Sequence, residues 1–301
     1  MFGFINLNKP QGFTSHDCVA KIRRLINTKK VGHGGTLDPE ATGVLPIAVG
    51  KATRLLQFLP QKKAYRARIR LGMTTTTDDL EGEVIATAAT TNLDRETIDT
   101  SLNAFVGTNE QIPPIYSAIK QDGKKLYELA RKGETVEVPP RTVTIEKIEL
   151  IALNLTTEFP EVEVDISCSP GTYIRAIARD LGANLGTGGT LASLIRTESC
   201  GMKVEDSLTF AELERQLQQN TFTAISPESI LTHLSSVILN QPEAKKWCQG
   251  QAIEISTPGD RLSVIPSANF VTTLDNEHNF LGISNVIMDS GLRIKPKVCI
   301  A

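Results

Sequence analysis

The stretch GHGGTLDPEATGVLPI, residues 32–47, combines a glycine-rich start with an Asp-Pro pair and an apolar run. Glycine allows another backbone or a ligand to approach closely. Pro39 keeps Asp38 out of the helical region, because its ring clashes with the residue before it. The apolar run GVLPIAV behind the pair indicates buried support. The stretch therefore predicts a rigid mount for a reactive carboxylate at Asp38. The alternative is an ordinary turn that begins at an aspartate.

The charge around this stretch is unevenly distributed. Residues 20–75 contain twelve Lys or Arg and only two acids, Asp38 and Glu40, although the chain of 301 residues has a net charge of −2. A run of charge is usually a solvated face. A basic block around one isolated carboxylate is less usual, and it indicates a polyanionic substrate.

The composition argues against several classes of protein. The five cysteines never form C-x-x-C and the four histidines are scattered, which argues against a disulfide framework and a metal site. The start MFGFINLNKP lacks the apolar stretch of a signal peptide, and no apolar run reaches the length of about 18 residues that a membrane span needs. We expect a reduced, cytoplasmic protein that does not interact with membranes.

Periodicity indicates an α+β fold with a mixed, largely antiparallel sheet, because strands and helices do not alternate regularly. Thr14 and Asp17 have the spacing of a capping box, which predicts a helix from there. Apolar spacing predicts strands at residues 2–7, 64–71, 143–153, 159–167 and 191–197, and helices at residues 93–106, 172–185 and 209–218.

A change in composition after residue 231 predicts a second domain. Few basic residues follow it, and turns separate short apolar segments. The predicted strands are residues 252–255, 262–265, 270–274, 280–287 and 292–298. We therefore expect a catalytic domain at residues 1–231 and a small β domain at residues 232–301.

Arg175 and Tyr65 are two further candidate functional residues, because each has an unusual sequence environment. Arg175 lies in the first turn of the predicted helix at residues 172–185, where the helix dipole disfavours a cation by roughly 0.3–1 kcal/mol. It is either a solvated side chain or is held there to pair with a carboxylate, for which Asp38 is a candidate. Tyr65 alternates with Arg66 and Arg68. It is either strand packing or a ring that stacks on a nucleobase.

Residues 123–133 predict a short basic helix that ends at a glycine. Proline pairs at residues 113–114 and 139–140 flank it, as expected of an insertion at about residues 113–142. It is either an ordinary amphipathic surface helix or a thumb that binds phosphates. Its cations are Lys124, Lys125, Arg131 and Lys132.

Five segments occur in the order seen in bacterial tRNA pseudouridine(55) synthases, the TruB family: NLNKPQGFTS (6–15), GHGGTLDP (32–39), YRARIRLG (65–72), PIYSAIK (114–120) and GTYIRA (171–176). The resemblance covers about residues 2–200. The C-terminal part resembles a PUA-type RNA-binding domain through GQAI (250–253) and FLGISNV (280–286). Within residues 74–82, Asp79 and Gly82 match the family, whereas relatives often have an aspartate at the position of Thr76.

The resemblance implies a reaction and a set of roles. A uridine in the T-loop of tRNA, position 55, is flipped out and converted to pseudouridine by a monomer that needs no cofactor or metal. Asp38 matches the catalytic aspartate, Tyr65 the tyrosine that stacks on the target base, and Arg175 the arginine that pairs with the acid. His33 matches a histidine that replaces the extruded nucleotide. The other residues expected to bind the T-arm of the tRNA are Gly34, Tyr173, Lys120, Lys124, Lys125, Arg131 and Lys132.

Three alternatives remain at the level of sequence. One is a pseudouridine synthase that acts on another RNA, and the second is a tRNA-folding chaperone for which catalysis is secondary. The third, which applies if the resemblance is set aside, is a carboxylate-dependent glycosidase that acts on a phosphorylated substrate. The lack of an evident second carboxylate to serve as the general acid argues against it.

Overall fold

The computed structural model describes residues 1–91, 93–117, 119–121, 123–130, 137–255, 269–289 and 291–300. Its helices in chain order are α1 (Ser15–Leu25), α2 (Arg95–Asn103), α3 (Leu126–Ala130), α4 (Ile174–Asn184), α5 (Phe210–Gln218), α6 (Pro227–Ile230) and α7 (Gln241–Cys248). Two 3₁₀ helices span Gly50–Phe58 and Val204–Asp206.

The strands in chain order are β1 (Gly3–Lys9), β2 (Val31–His33), β3 (Thr42–Val49), β4 (Lys63–Leu71), β5 (Met73–Thr75), β6 (Val84–Thr87), β7 (Gly107–Gln111), β8 (Lys120–Gln121), β9 (Lys124–Lys125), β10 (Arg141–Asn154), β11 (Glu161–Cys168), β12 (Gly189–Ser199), β13 (Met202–Lys203), β14 (Ser236–Leu239), β15 (Ile253–Glu254), β16 (Phe270–Asp275), β17 (Phe280–Met288) and β18 (Leu292–Cys299).

Among the described residues, nine strands form one central sheet in the order β1-β3-β12-β4-β11-β10-β7, with β2 beside β3 and β13 beside β12. Strand β12 runs parallel to β3, and the other pairs of this sheet are antiparallel. Helices α2 and α4 pack against β4, β10 and β11, while α1 and α5 pack against β1 and β3. The predicted α+β class with a mixed, largely antiparallel sheet is confirmed.

Local sequence signals set several element boundaries. The Thr14 side chain accepts from the Asp17 amide and Asp17 accepts from the Thr14 amide, so the predicted capping box starts α1. The helix predicted at residues 93–106 is shorter, because Asp94 caps it at its start and the chain leaves the helix after Asn103. No helix in the described part of the chain is long and apolar enough to cross a membrane.

The C-terminal strands form a second sheet in the order β14-β16-β17-β18-β15. This sheet shares a core with the first 231 residues, since Ile283 and Val298 cluster with Phe4 and Val44. The Phe58 and Phe270 ring centroids are 5.0 Å apart. The domain boundary after residue 231 stays a prediction, and the strand predicted at residues 262–265 lies outside the described residues.

The thumb segment differs from the helix predicted at residues 123–133. Strands β8 and β9 form an antiparallel hairpin around Gly123, and α3 begins only at Leu126. The apolar Leu126 and Leu129 are buried, which accounts for the helical spacing in the sequence. Arg131 and Lys132 lie outside the described residues.

Candidate active site

Asp38 lies in the loop between β2 and β3, and several hydrogen bonds fix this loop. The fully buried Lys9 at the end of β1 donates its ammonium to the carbonyls of Pro10, Phe13 and Pro39 at 3.0, 2.6 and 2.8 Å. The Leu37 amide donates to the Ser15 hydroxyl at 2.9 Å. A buried charge is tolerated only with such partners. The backbone on both sides of Asp38 is therefore held in place.

A fully buried arginine on β12 holds the other side of the loop. Arg196 donates Nε to the Val44 carbonyl at 2.8 Å, and its terminal nitrogens donate to the Thr36 and Gly35 carbonyls at 3.2 and 3.1 Å. Gly43 has φ +97°, and a Cβ there would lie 2.9 Å from the Arg196 amide nitrogen. Only glycine allows β3 to approach Arg196 this closely.

The predicted pairing of Arg175 with Asp38 is present in the structure. Arg175 lies in the first turn of α4, and its NH2 nitrogen is 3.1 Å from Asp38 Oδ2. The arginine side chain is 7% exposed, whereas that of Asp38 is 46% exposed. The carboxylate therefore faces solvent while the cation that orients it is buried. This is the arrangement expected for a group that acts on a bound molecule.

Three other groups fix the guanidinium of Arg175. The carbonyls of Thr77 and Tyr116 accept hydrogen bonds from it at 3.0 and 2.9 Å, and Asp79 Oδ2 lies 3.4 Å away. The two carboxylates compensate its charge, and the carbonyls set its plane. A flat guanidinium with this many acceptors has little freedom to move away from Asp38.

Asp38 and Arg175 line a cavity of about 410 Å³. This volume lies in the range of roughly 300–1,000 Å³ that is typical of ligand pockets. The cavity wall is formed by the start of β12, the acidic turn after β5 and the loop around Asp38; its lining residues are Gln11, Asp38, Glu40, Ala41, Thr42, Asp79, Leu80, Glu81, Arg175, Leu191, Ala192, Ser193, Leu194 and Ile195.

The two predicted tyrosines lie at different depths. Tyr65 is 7% exposed and belongs to the core cluster of β4, opposite Arg196 on β12. Burial raises the pKa of its hydroxyl, so the ring stays neutral. Tyr173 caps α4, and its amide donates to Gln111 Oε1 at 2.8 Å. Tyr65 is not among the residues that line the cavity.

His33 and Gly34 lie at the end of β2, before the loop. The Gly35 amide donates to His33 Nδ1 at 3.3 Å, and burial, followed by His16 and Arg196, lowers the pKa of His33. The rings of His33 and His16 meet edge to face at 5.5 Å. A Cβ on Gly34 would lie 3.0 Å from Cys200 Sγ, so this glycine serves internal packing as well as any approach of RNA.

The three arginines of β4 each form an ion pair with an acid of the neighbouring strand β11. Arg66 pairs with Asp165 at 2.8 Å, Arg70 with Glu161 at 2.7 Å, and Arg68 with Glu163 at 3.4 Å. The register of β4 on β11 brings an acid of the neighbouring strand to each of these arginines.

Comparison with known proteins identifies the family. Residues 23–174 match the family described as TruB family pseudouridylate synthase (N terminal domain), and residues 235–300 match Pseudouridine synthase II TruB, C-terminal. The tRNA pseudouridine synthase B of Gloeothece citriformis is 55% identical over 306 residues, which cover 100% of this chain and 98% of that relative. This chain belongs to the TruB family. The protein of the same name from Trichormus variabilis is 59% identical over 256 residues, or 85% of this chain and 87% of the relative.

Solved structures agree with this family at the level of the fold. A chain in the crystal structure of a Cbf5-Nop10-Gar1 complex aligns with a TM-score of 0.72 and 27% identity, over 99% of this chain and 84% of that chain. A chain in a structure of an H/ACA RNP bound to a substrate RNA containing 2'-deoxyuridine aligns with a TM-score of 0.73 and 24% identity, over 100% and 85%. The second likeness is evidence for the fold alone.

In this TruB-family chain, reasoning from sequence missed Lys9, Arg196 and the role of Asp79. Lys9 had a usable signal, because it continues the buried face of Ile5 and Leu7 on β1. Asp79 lay in a segment already matched to the family, but its contact with Arg175 depends on the tertiary fold. The described residues contain no cluster of His, Cys, Asp or Glu suited to a metal ion.

Proposed function

We propose that this TruB-family chain converts uridine to pseudouridine at position 55, in the T-loop of tRNA, with Asp38 as the catalytic carboxylate. The family gives the reaction, and the relatives named tRNA pseudouridine synthase B support tRNA as the substrate. The single observation that supports Asp38 is its ion pair with the buried Arg175 at the wall of the cavity.

The chemistry requires an ionised oxygen near the sugar. Breaking the N1–C1′ bond develops positive charge on the ribose, and an adjacent carboxylate stabilises it. The uracil then turns, C5 bonds to C1′, C5 loses its proton and N1 gains one, so the product is an isomer of the substrate. The guanidinium of Arg175 lies 3.1 Å from the carboxylate of Asp38 and fixes its direction.

Access to the uridine requires that the base leave its RNA stack, at a cost of a few kcal/mol. We propose that His33, Gly34, Tyr65 and Tyr173 contact the flipped nucleotide and its neighbours. The thumb residues Lys120, Lys124, Lys125, Arg131 and Lys132 would bind the T-arm. We also propose that the chain is a cytoplasmic monomer. Light scattering of the purified chain with and without tRNA would test the monomeric state.

The test is chemical mapping of pseudouridine in an unmodified tRNA transcript after incubation with the full chain. Wild type should modify uridine 55, and a transcript with cytidine at that position should gain no pseudouridine. Asp38→Asn and Asp38→Ala should abolish the product but still bind tRNA, because the charge on the carboxylate is needed only for the reaction.

The matched control is Glu40→Gln. Glu40 is an exposed carboxylate that lines the same cavity and accepts from Gln11 at 2.6 Å. Its substitution should leave turnover near wild type. A tenth of wild-type turnover in Asp38→Ala, or equal losses at both positions, would remove Asp38 from its assigned role. Modification at another uridine would contradict the T-loop assignment, and tRNA refolding without any product would favour a chaperone.

A further inference from the structure

Lys63 is the first residue of β4 and projects to the same side of the sheet as Tyr65. Its side chain is partly buried, and this burial lowers the pKa of its ammonium group. A Cβ built on Gly35, in the loop that leads to Asp38, would lie 3.4 Å from Lys63 Nζ. The ammonium group therefore lies against the catalytic loop.

The charge of Lys63 has no anionic partner in the described part of the chain. Its nitrogen forms no hydrogen bond or ion pair with any described residue, and the titratable groups that act on it are Arg196, Cys200 and Cys168. Burial raises the pKa of both thiols, that of Cys168 to about 11, so they carry no charge. Arg196 is itself a cation that donates to loop carbonyls. Two positive charges thus adjoin the loop without an acid between them.

The neighbouring cations of β4 differ in this respect. Lys62, the preceding residue, is exposed and forms an ion pair with Glu146 at 3.0 Å. Arg66 pairs with Asp165 through two hydrogen bonds of 2.8 Å. The lack of an acid beside Lys63 is therefore not a general property of this strand.

A partly buried ammonium group without an acid beside it costs stability. A bound anion would supply the missing counter-charge, and perturbed titratable groups are found preferentially at functional sites. We propose that Lys63 binds a phosphate of the RNA strand beside the target uridine, when the RNA lies over the loop at residues 34–36. This proposal rests on the proposed function, which supplies the RNA. Gly35 fits it, since a Cβ at that position would contact the ammonium nitrogen on the side where the loop passes.

The first experiment measures binding of a T-arm stem-loop RNA to full-length protein that carries Asp38→Asn, so that turnover does not intervene. Lys63→Met should weaken binding about tenfold or more, as expected for one charge-assisted contact. It should also flatten the slope of log K against log salt by about 0.7–0.9. The matched control Lys62→Met should change neither quantity appreciably.

The second experiment locates the phosphate. Binding is measured for stem-loop RNAs that each carry one neutral methylphosphonate, placed at successive positions. The two proteins are the Asp38→Asn protein and the same protein with Lys63→Met added. One substitution should weaken binding to the Asp38→Asn protein and have no further effect once Lys63→Met is present. The melting temperature of the Lys63→Met protein should be unchanged or higher, because an unpaired, partly buried charge has been removed.

Two results would overturn the proposal. One is unchanged binding in Lys63→Met, or no methylphosphonate position that couples to it. The other is weaker binding accompanied by a lower melting temperature, which would assign Lys63 a structural role. The failure of the proposed function looks different: wild-type protein would bind the stem-loop with the Lys63 contact intact and form no pseudouridine.

Discussion

Two groups of arginines lie on neighbouring strands and helices of this chain and have opposite surroundings. Arg66, Arg68 and Arg70 stand on β4 with side chains 45%, 49% and 32% exposed, each beside an acid of β11. Arg175 and Arg196 are buried and donate mainly to backbone carbonyls around Asp38. The exposed group is neutralised on the surface, while the buried group holds the candidate catalytic loop.

The comparison shows that a count of charges along the sequence is a poor guide to surface potential. The basic excess of residues 20–75 includes the three β4 arginines, yet their partners come from β11, far along the chain. The two arginines that pair with Asp38 or hold its loop, Arg175 and Arg196, lie outside that basic segment, on α4 and β12. Four experiments test this contrast, and they follow in decreasing order of the effect that we expect.

The largest effect is expected from Arg196→Met. The carbonyls of Gly35, Thr36 and Val44 would lose their donor, and an unsatisfied acceptor that is buried, such as that of Val44, costs about 1–3 kcal/mol. The free energy of unfolding measured in urea should fall by about 3 kcal/mol or more, and turnover should be lost. The matched change Arg66→Met should cost at most about 1 kcal/mol. Similar losses for both would mean that burial does not distinguish the two groups.

The next effect is expected from Arg175→Lys. A single ammonium cannot reach Asp38, Asp79 and the two carbonyls together, so turnover should fall about tenfold to a hundredfold. Arg179→Lys is the control one turn along α4. Arg179 pairs with Asp78 at 3.0 Å and does not contact Asp38. The measurement is the single-turnover rate of each variant. Equal, mild effects of Arg175→Lys and Arg179→Lys would mean that Arg175 does not position Asp38.

A smaller effect on rate is expected from the thumb. Replacing Lys124, Lys125 and Lys132 together with Ala should flatten the salt dependence of tRNA binding by roughly two to three units, if all three contact phosphates. The single-turnover rate at saturating enzyme should change much less. An unchanged slope would identify an ordinary surface segment, and a large fall in the saturating rate would identify a catalytic lid.

The smallest effect is expected on the exposed face of β4. A double-mutant cycle with Arg66→Gln and Asp165→Asn should give a coupling energy of at most about 1 kcal/mol, as for other exposed ion pairs. The affinity for tRNA should not change in Arg66→Gln, because the arginine is already paired. A clear loss of affinity would show that RNA displaces the acid, and would return this face to the binding surface.

Sequence reasoning was most successful where the signal is local. The Thr14–Asp17 capping box, the alternation of β4 and β11, and the cation in the first turn of α4 were each predicted and are present. Arg175 was open to prediction because a cation at a helix start is unfavourable unless a carboxylate compensates it. That conflict left a solvated side chain or a carboxylate pair, with Asp38 as a candidate, and the structure contains the pair.

Sequence reasoning failed where a β-bulge exchanges the buried and exposed faces of a strand. Simple alternation from Leu191 would bury Ile195 and expose Arg196. In β12, the pairing with β4 shifts by one residue between Leu191 and Ser193. This shift exchanges the faces of the following side chains, so Ile195 is 39% exposed at the cavity and Arg196 is fully buried. An extra residue of this kind leaves no clear mark in the sequence, because the partner strand determines where it lies.

The helix starts, the strand alternation, the family and the candidate carboxylate could all be predicted from the sequence, since they depend on neighbouring residues or on short ordered motifs. The tertiary structure decided which charges meet: Arg66 with Asp165, Arg175 with Asp79 as well as Asp38, and Lys63 with no acid in the described residues. The physical reason is range. Hydrogen bonds and ion pairs act over a few ångströms, and only the register of strands distant in the sequence brings those atoms together.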